Sequence, residues 1–237
     1  MRPVSRPRSP RWSHGTSRLA ALLVVAVTVG ALAAPAGAKA KPSPADKVVL
    51  NAGVITAADV PAGWTATSQA DTSADQFKGV TGCAAVYRAV FNARATVPYK
   101  LSKAFSPPGA DNGITSVDDT VLAFKDVPRA SRFVAVFQDA STGRCLQAVL
   151  AKALRGEGHA VVAPLTLAPV GDATVGYEAS ISSTSPGLTG PQVGDIVVLR
   201  VGRVVAYVTT LNAAAAPLPQ GPALLTAIAS RLRQAGA

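Results

Sequence analysis

Histidine, cysteine, glutamate and aromatic residues are scarce in this chain, and each shortage removes a class of chemistry. Of two histidines in 237 residues, His14 stands near the amino terminus and His159 is the only one in the body of the sequence. A general base or metal ligand at His159 would need carboxylate or cysteine partners placed by the fold. The surrounding GEGHAVV reads more simply as a turn entering a strand. The two cysteines, Cys83 and Cys145, show neither C-x-x-C nor the Cys/His spacing of a redox or metal centre, so no metal is expected.

Glutamate occurs only as Glu157 and Glu178, and the one adjacent pair of acids is Asp118-Asp119. Alternation along a strand would point that pair to opposite faces, which defeats a two-carboxylate mechanism and leaves one or both exposed near a turn as the simpler expectation. G-x-S-x-G, S-x-x-K, H-E-x-x-H and Gly-Lys are all missing. Gly156-x-Gly158 lacks a third glycine and follows a helical pattern, so dinucleotide binding has no support and no cofactor is expected. A secreted hydrolase using His159 or Asp118 and Asp119 ranks last among the functional readings.

What is abundant is apolar residue, 49% of the chain, and the longest run lies at the start. Arg2, Arg6, Arg8, Arg11 and Arg18 precede an apolar stretch from Leu19 to Ala34, closed by Ala36-Gly37-Ala38. This is the pattern of a secretory signal peptide spanning residues 1–38, with Ala36 and Ala38 as its cleavage residues. The run falls short of the roughly 20 residues that span a bilayer comfortably. An uncleaved signal anchor is the alternative, and it would be the chain's one contact with a membrane. Either way the body is placed outside the cytoplasm. No cysteine is available for a lipid anchor, and no Arg-Arg pair precedes the run, which favours the general secretory route.

Five of the 23 basic residues and none of the 13 acidic ones belong to the leader, so its removal takes the net charge from +10 to +5. The remaining cations are scattered without interleaved aromatics, and nucleic acid is not an expected partner.

After a Pro- and Lys-rich linker at 39–47, residues 48–237 read as one domain. Thr56 and Asp59 form a capping pair before the Pro61 to Gly63 turn. Cys83, Val86, Tyr87, Val90 and Phe91 share one helical face, and that helix ends before Pro98. Lys100 to Phe105 and Thr115 to Lys125 read as strands of a hairpin with a long loop, punctuated by Pro107-Pro108-Gly109 and Asp111-Asn112-Gly113. Two helices follow. One carries Ala130, Phe133, Val134 and Phe137 on a face. The other carries Leu146, Val149, Leu150, Ala153 and Leu154, with Cys145 in its first turn and Gly156 as its stop.

Val175, Tyr177, Ala179 and Ile181 alternate as a half-buried strand. DIVVLRVGRVVAYVTTL reads as an antiparallel hairpin turning at Gly202-Arg203. A final helix groups Leu225, Ile228, Ala229 and Leu232. The expected class is α+β, an antiparallel sheet flanked by helices. An even cysteine count in an oxidising compartment pairs Cys83 with Cys145 and ties their two helices to one side of the sheet.

The order Asp59-Val60-Pro61-Ala62-Gly63-Trp64, a cysteine opening a helix, Val121-Leu122-Ala123-Phe124, then Ala130 to Phe137 followed by Cys145, resembles the actinobacterial extracytoplasmic sensor domains of the PknH type. The resemblance implies a PsbP-like α+β fold, a disulfide-stabilised body and a cleft for a small or apolar ligand. The chain departs from those domains in having no kinase and one cysteine pair where they carry two, so binding is what carries over. The expectation is a secreted, non-enzymatic domain holding an apolar or amphiphilic envelope molecule, with Trp64, Tyr99, Tyr177 and Tyr207 as candidate contacts. The alternative is a protein-interaction or envelope-assembly factor with a protein of the envelope as partner.

Overall fold

Ser43 starts the first helix. Its hydroxyl accepts the Asp46 amide while the Asp46 carboxylate accepts the Ser43 amide, and Pro44 fills the first helical position. The computed structural model describes residues 40–68, 74–108, 115–184, 190–213, 218 and 221–237. The leader with Ala36 and Ala38, and the Asp111-Asn112-Gly113 turn, lie outside the described residues. Helix α1 runs Pro44–Gly53, so the second half of the segment expected as linker is helical instead. A serine followed three residues later by aspartate, with proline between them, is a helix-entry signal as well as a linker composition.

The other helices are α2 (Ala74–Phe77), α3 (Ala84–Thr96), α4 (Val127–Gln138), α5 (Ala140–Leu154) and α6 (Gly221–Gln234). The strands are β1 (Thr65–Thr67), β2 (Tyr99–Leu101), β3 (Ala104–Ser106), β4 (Ser116–Ala123), β5 (Gly158–Leu165), β6 (Ala173–Ser183), β7 (Gly190–Val201) and β8 (Val204–Asn212). They form one antiparallel sheet in the order β1-β3-β4-β8-β7-β6-β5, with β2 also pairing β4. The expected extended run from Lys100 to Phe105 is broken at Ser102, whose hydroxyl accepts the Asp119 amide at 2.8 Å in place of continuous strand pairing.

Alternation sorts the sheet residues into two cores. On one face Leu122, Tyr177, Ile196, Val198, Val205 and Tyr207 meet α3, α4 and α5 through Val86, Val90, Phe133, Phe137, Leu146 and Val149. On the other, Val121, Val197, Leu199 and Ala206 meet α1 and α6 through Val49, Leu50, Leu225, Ile228 and Leu232. The central strands β4, β8 and β7 are therefore covered on both sides, which buries the polar Asp118, Asp119, Thr120 and Asp195 along with their apolar neighbours. The α+β class, with an antiparallel sheet flanked by helices, is observed as expected.

Cys83 caps α3 and Cys145 lies in the second turn of α5 rather than the first, because Asp139 caps that helix earlier by accepting the Ser141 amide. The two cysteines form a disulfide, and both are fully buried. The β7–β8 hairpin turns at Gly202-Arg203 with Gly202 at φ +53°.

Candidate functional site

Two large hollows open among the described residues, and one lies between helix and sheet. Ala140, Gly143, Arg144 and Gln147 recur on α5 at the spacing of a single helical stripe and form one wall. The opposite stripe of the helix, with Cys145, Leu146, Val149 and Leu150, is buried in the body. The floor comes from alternate positions of the edge strand and its neighbour, Val162 and Pro164 on β5 and Val175 and Tyr177 on β6, with Pro164 and Tyr177 directly paired. Leu165 and Leu167 close the far side, and the volume is about 600 Å³, within the range of small-molecule sites.

Tyr177 is fixed in this groove from below. Its hydroxyl donates to the Phe137 carbonyl at 2.6 Å. Gly143 makes room for its ring, since a Cβ there would stand 3.3 Å from the Tyr177 Cε1. Burial raises the phenol's pKa, with the Thr142 hydrogen bond opposing and Asp139 adding to the shift. Arg144 and Gln147 are exposed at the rim. One wall is thus polar and cationic, while floor and far side are mostly apolar with Thr166 and Thr174 among them.

The four aromatic residues singled out from sequence do not converge. Tyr177 alone lines the groove. Tyr207 is buried under α3 and α4, edge-on to Phe137 at 5.8 Å between ring centroids, and burial with the nearby Asp118 raises its pKa. Tyr99 is half-buried with the Arg94 guanidinium 4.2 Å from its ring centroid. Trp64 packs on the opposite core, beside α1 and α6. Tyr99, Tyr177 and Tyr207 belong to the core on one face of the sheet and Trp64 to the core on the other, an assignment that periodicity alone could not make.

The acids correct a second expectation. Asp118 and Asp119 point to opposite faces as alternation requires, but neither is exposed: they are 3% and 0% accessible. β4 is an interior strand of the sheet, between β3 and β8. Asp119 faces the α1 and α6 layer, accepts the Ile55 amide and is pushed by burial to a pKa of about 7, against the favourable Ile55 and Ser102 hydrogen bonds and the Arg231 charge. His159 is exposed on β5, paired opposite Ser182. Among the described residues no group of three or more His, Cys, Asp or Glu could hold a metal.

The groove's helical stripe was missed from sequence because Gly143, Arg144 and Gln147 carry no motif. The signal available was their i, i+1, i+4 placement opposite the apolar face of α5, next to a glycine in a helix interior.

No family model matches the chain, and no curated protein sequence matches it. Among solved structures the extracellular domain of PknH from Mycobacterium tuberculosis is similar, with a TM-score of 0.45 and 11% identity, the match covering 82% of this chain and 98% of that one. At that distance no function passes from one to the other.

Proposed function

We propose that this chain is a non-enzymatic, extracytoplasmic binding domain that seats a small amphiphilic molecule in the groove between α5 and the β5–β6 edge. The observation that carries the reading is the division of that groove: Arg144 and Gln147 on one wall face Val162, Val175 and the Tyr177 ring on the floor. An apolar tail would lie along the strands, displacing water from their side chains, while a polar head would meet the helix rim. The arginine-flanked leader supports the extracytoplasmic placement. Among the described residues no helix is long and apolar enough to cross a membrane.

Gln147→Trp tests the site, because the residue is exposed and its replacement fills the groove without disturbing the core. A dansyl-labelled fatty acid should bind the native protein saturably and bind the variant at least about tenfold more weakly, a loss of roughly 1.4 kcal/mol. Equal binding by both proteins would remove the groove from the proposal. Absence of binding by either, together with a cross-linked envelope protein, would favour the protein-interaction reading.

A further inference from the structure

The second large hollow has a different chemistry. It lies beside the β7–β8 turn, has a volume of about 690 Å³, and its rim carries Lys125, Arg129 and Arg203 against the carboxylate of Asp46 and, beside Arg129, that of Asp126. We propose that it is a phosphate-binding site, and that its ligand is the head group of an anionic lipid.

Two of these cations face a carboxylate each, Arg203 that of Asp46 and Arg129 that of Asp126, which leaves the charge of Lys125 in excess. Asp46 accepts the Ser43 amide through one oxygen and pairs with the Arg203 guanidinium at 2.7 Å through the other. Burial works against its ionisation, but the Ser43 amide and Arg203 outweigh it and hold the pKa below the ordinary value. The Arg203 guanidinium also donates to the Phe124 carbonyl at 2.8 Å, so this cation is held at the floor instead of sweeping through solvent. Asp126 caps α4 by accepting the Arg129 amide and lies 3.4 Å from that residue's guanidinium. Lys125 has no hydrogen-bond or ion-pair partner among the described residues. One anchored arginine, with an exposed arginine and a lysine at the rim that together exceed the two neighbouring carboxylates by one charge, suits an oxyanion with several acceptor oxygens.

Backbone electrostatics act in the same direction. The amino-terminal ends of α1, through Ser43 and Asp46, and of α4, through Lys125 and Arg129, both border the hollow. Each contributes partial positive charge. The carboxyl-terminal end of α3, at Thr96 and Val97, opposes them in part, leaving the side-chain cations to set the sign. A lipid source is favoured over free phosphate by two features. Val127, between Lys125 and Arg129, is 45% exposed, an apolar contact beside the cations. The hollow is also several times larger than one phosphate, and the chain enters the fold at this pole through Lys41 and Ser43.

The test compares the exported protein with Lys125→Glu/Arg129→Glu and with Arg88→Glu/Lys152→Glu, which makes the same change in net charge on exposed residues outside the hollow. Cosedimentation with phosphatidylcholine vesicles, with and without phosphatidylglycerol, reads lipid binding, and amide NMR shifts on adding inorganic phosphate read the isolated group. The expected result is binding that requires phosphatidylglycerol, weakens with salt, and falls on the order of tenfold or more in the first variant but not the second. Phosphate-induced shifts confined to the hollow, without vesicle binding, would keep the phosphate site and replace lipid by a soluble phosphorylated ligand. Absence of both responses, or equal loss in the two variants, would overturn the proposal.

Discussion

The carboxylate of Asp119 accepts the backbone amide of Ile55 at 3.0 Å, joining the centre of β4 to the exit of α1 across 64 residues of sequence. Beside it Arg231 of α6 donates to the Ala52 carbonyl at 2.8 Å and pairs with Asp59, so one partly buried polar cluster holds the α1 and α6 layer onto the sheet. The cluster places an acid with a raised pKa at a packing contact, which makes stability depend on pH.

The sign follows from proton counting. Unfolding takes the Asp119 pKa from about 7 back toward 3.8, so between those values the folded state holds a proton that the unfolded state has lost. The contribution is fully present below 3.8 and is lost as pH rises through about 7, with a slope of at most about 1.4 kcal/mol per pH unit. Asp119→Asn should flatten the decline in urea-unfolding free energy across that window. Asp195, also raised by burial, leaves a residual slope of the same sign. Asp46, Asp59 and Asp139 are lowered, so their contributions are complete above 3.8 and vanish on acidification below it, outside the window. An unchanged slope in Asp119→Asn would mean that the acid titrates normally.

The Cys83–Cys145 bridge closes a sequence separation of 62 residues and joins α3 to α5. Loop-closure entropy gives such a bridge about 4 kcal/mol. Cys83→Ala/Cys145→Ala should lose that order of stability in denaturant titration, and alkylation without reduction should label neither cysteine of the native chain. Equal unfolding midpoints for the two proteins would show that the bridge contributes nothing.

Gly202 combines a positive φ of +53° with close contact to Ala237, whose carbonyl oxygen would lie 2.2 Å from an added Cβ. Gly63 has φ +88° and nothing within 4 Å of that position. Gly63→Ala should therefore cost only the backbone penalty, about 1–2 kcal/mol. Gly202→Ala should cost more, because either the hairpin turn or the segment after α6 must move. Comparable melting temperatures for the two variants would contradict that packing.

Patterns that repeat along the chain were legible in sequence: the i, i+3, i+4 faces of α3, α4, α5 and α6, the alternation of β6, and the paired β-branched runs of β7 and β8. The disulfide was legible because only two cysteines exist to pair. Face assignment across the sheet was not, since Trp64 and Tyr177 are separated by strand order that no local pattern encodes. The burial of Asp118 and Asp119 was hidden for the same reason: acids in an interior strand look like acids near a turn until the covering helices are placed. At the groove, Tyr177 was legible as one of the alternating positions of β6, whereas Arg144 and Gln147 became visible only once α5 was set beside β5 and β6.

Native mass spectrometry of the exported protein, alongside the Gln147→Trp variant from the same host, tests the binding reading most directly. The expected result is a discrete noncovalent adduct on the native chain that is released by denaturation and missing from the variant. A bare chain in both spectra, or an adduct carried equally by both, would contradict the groove as the place where this protein holds its ligand.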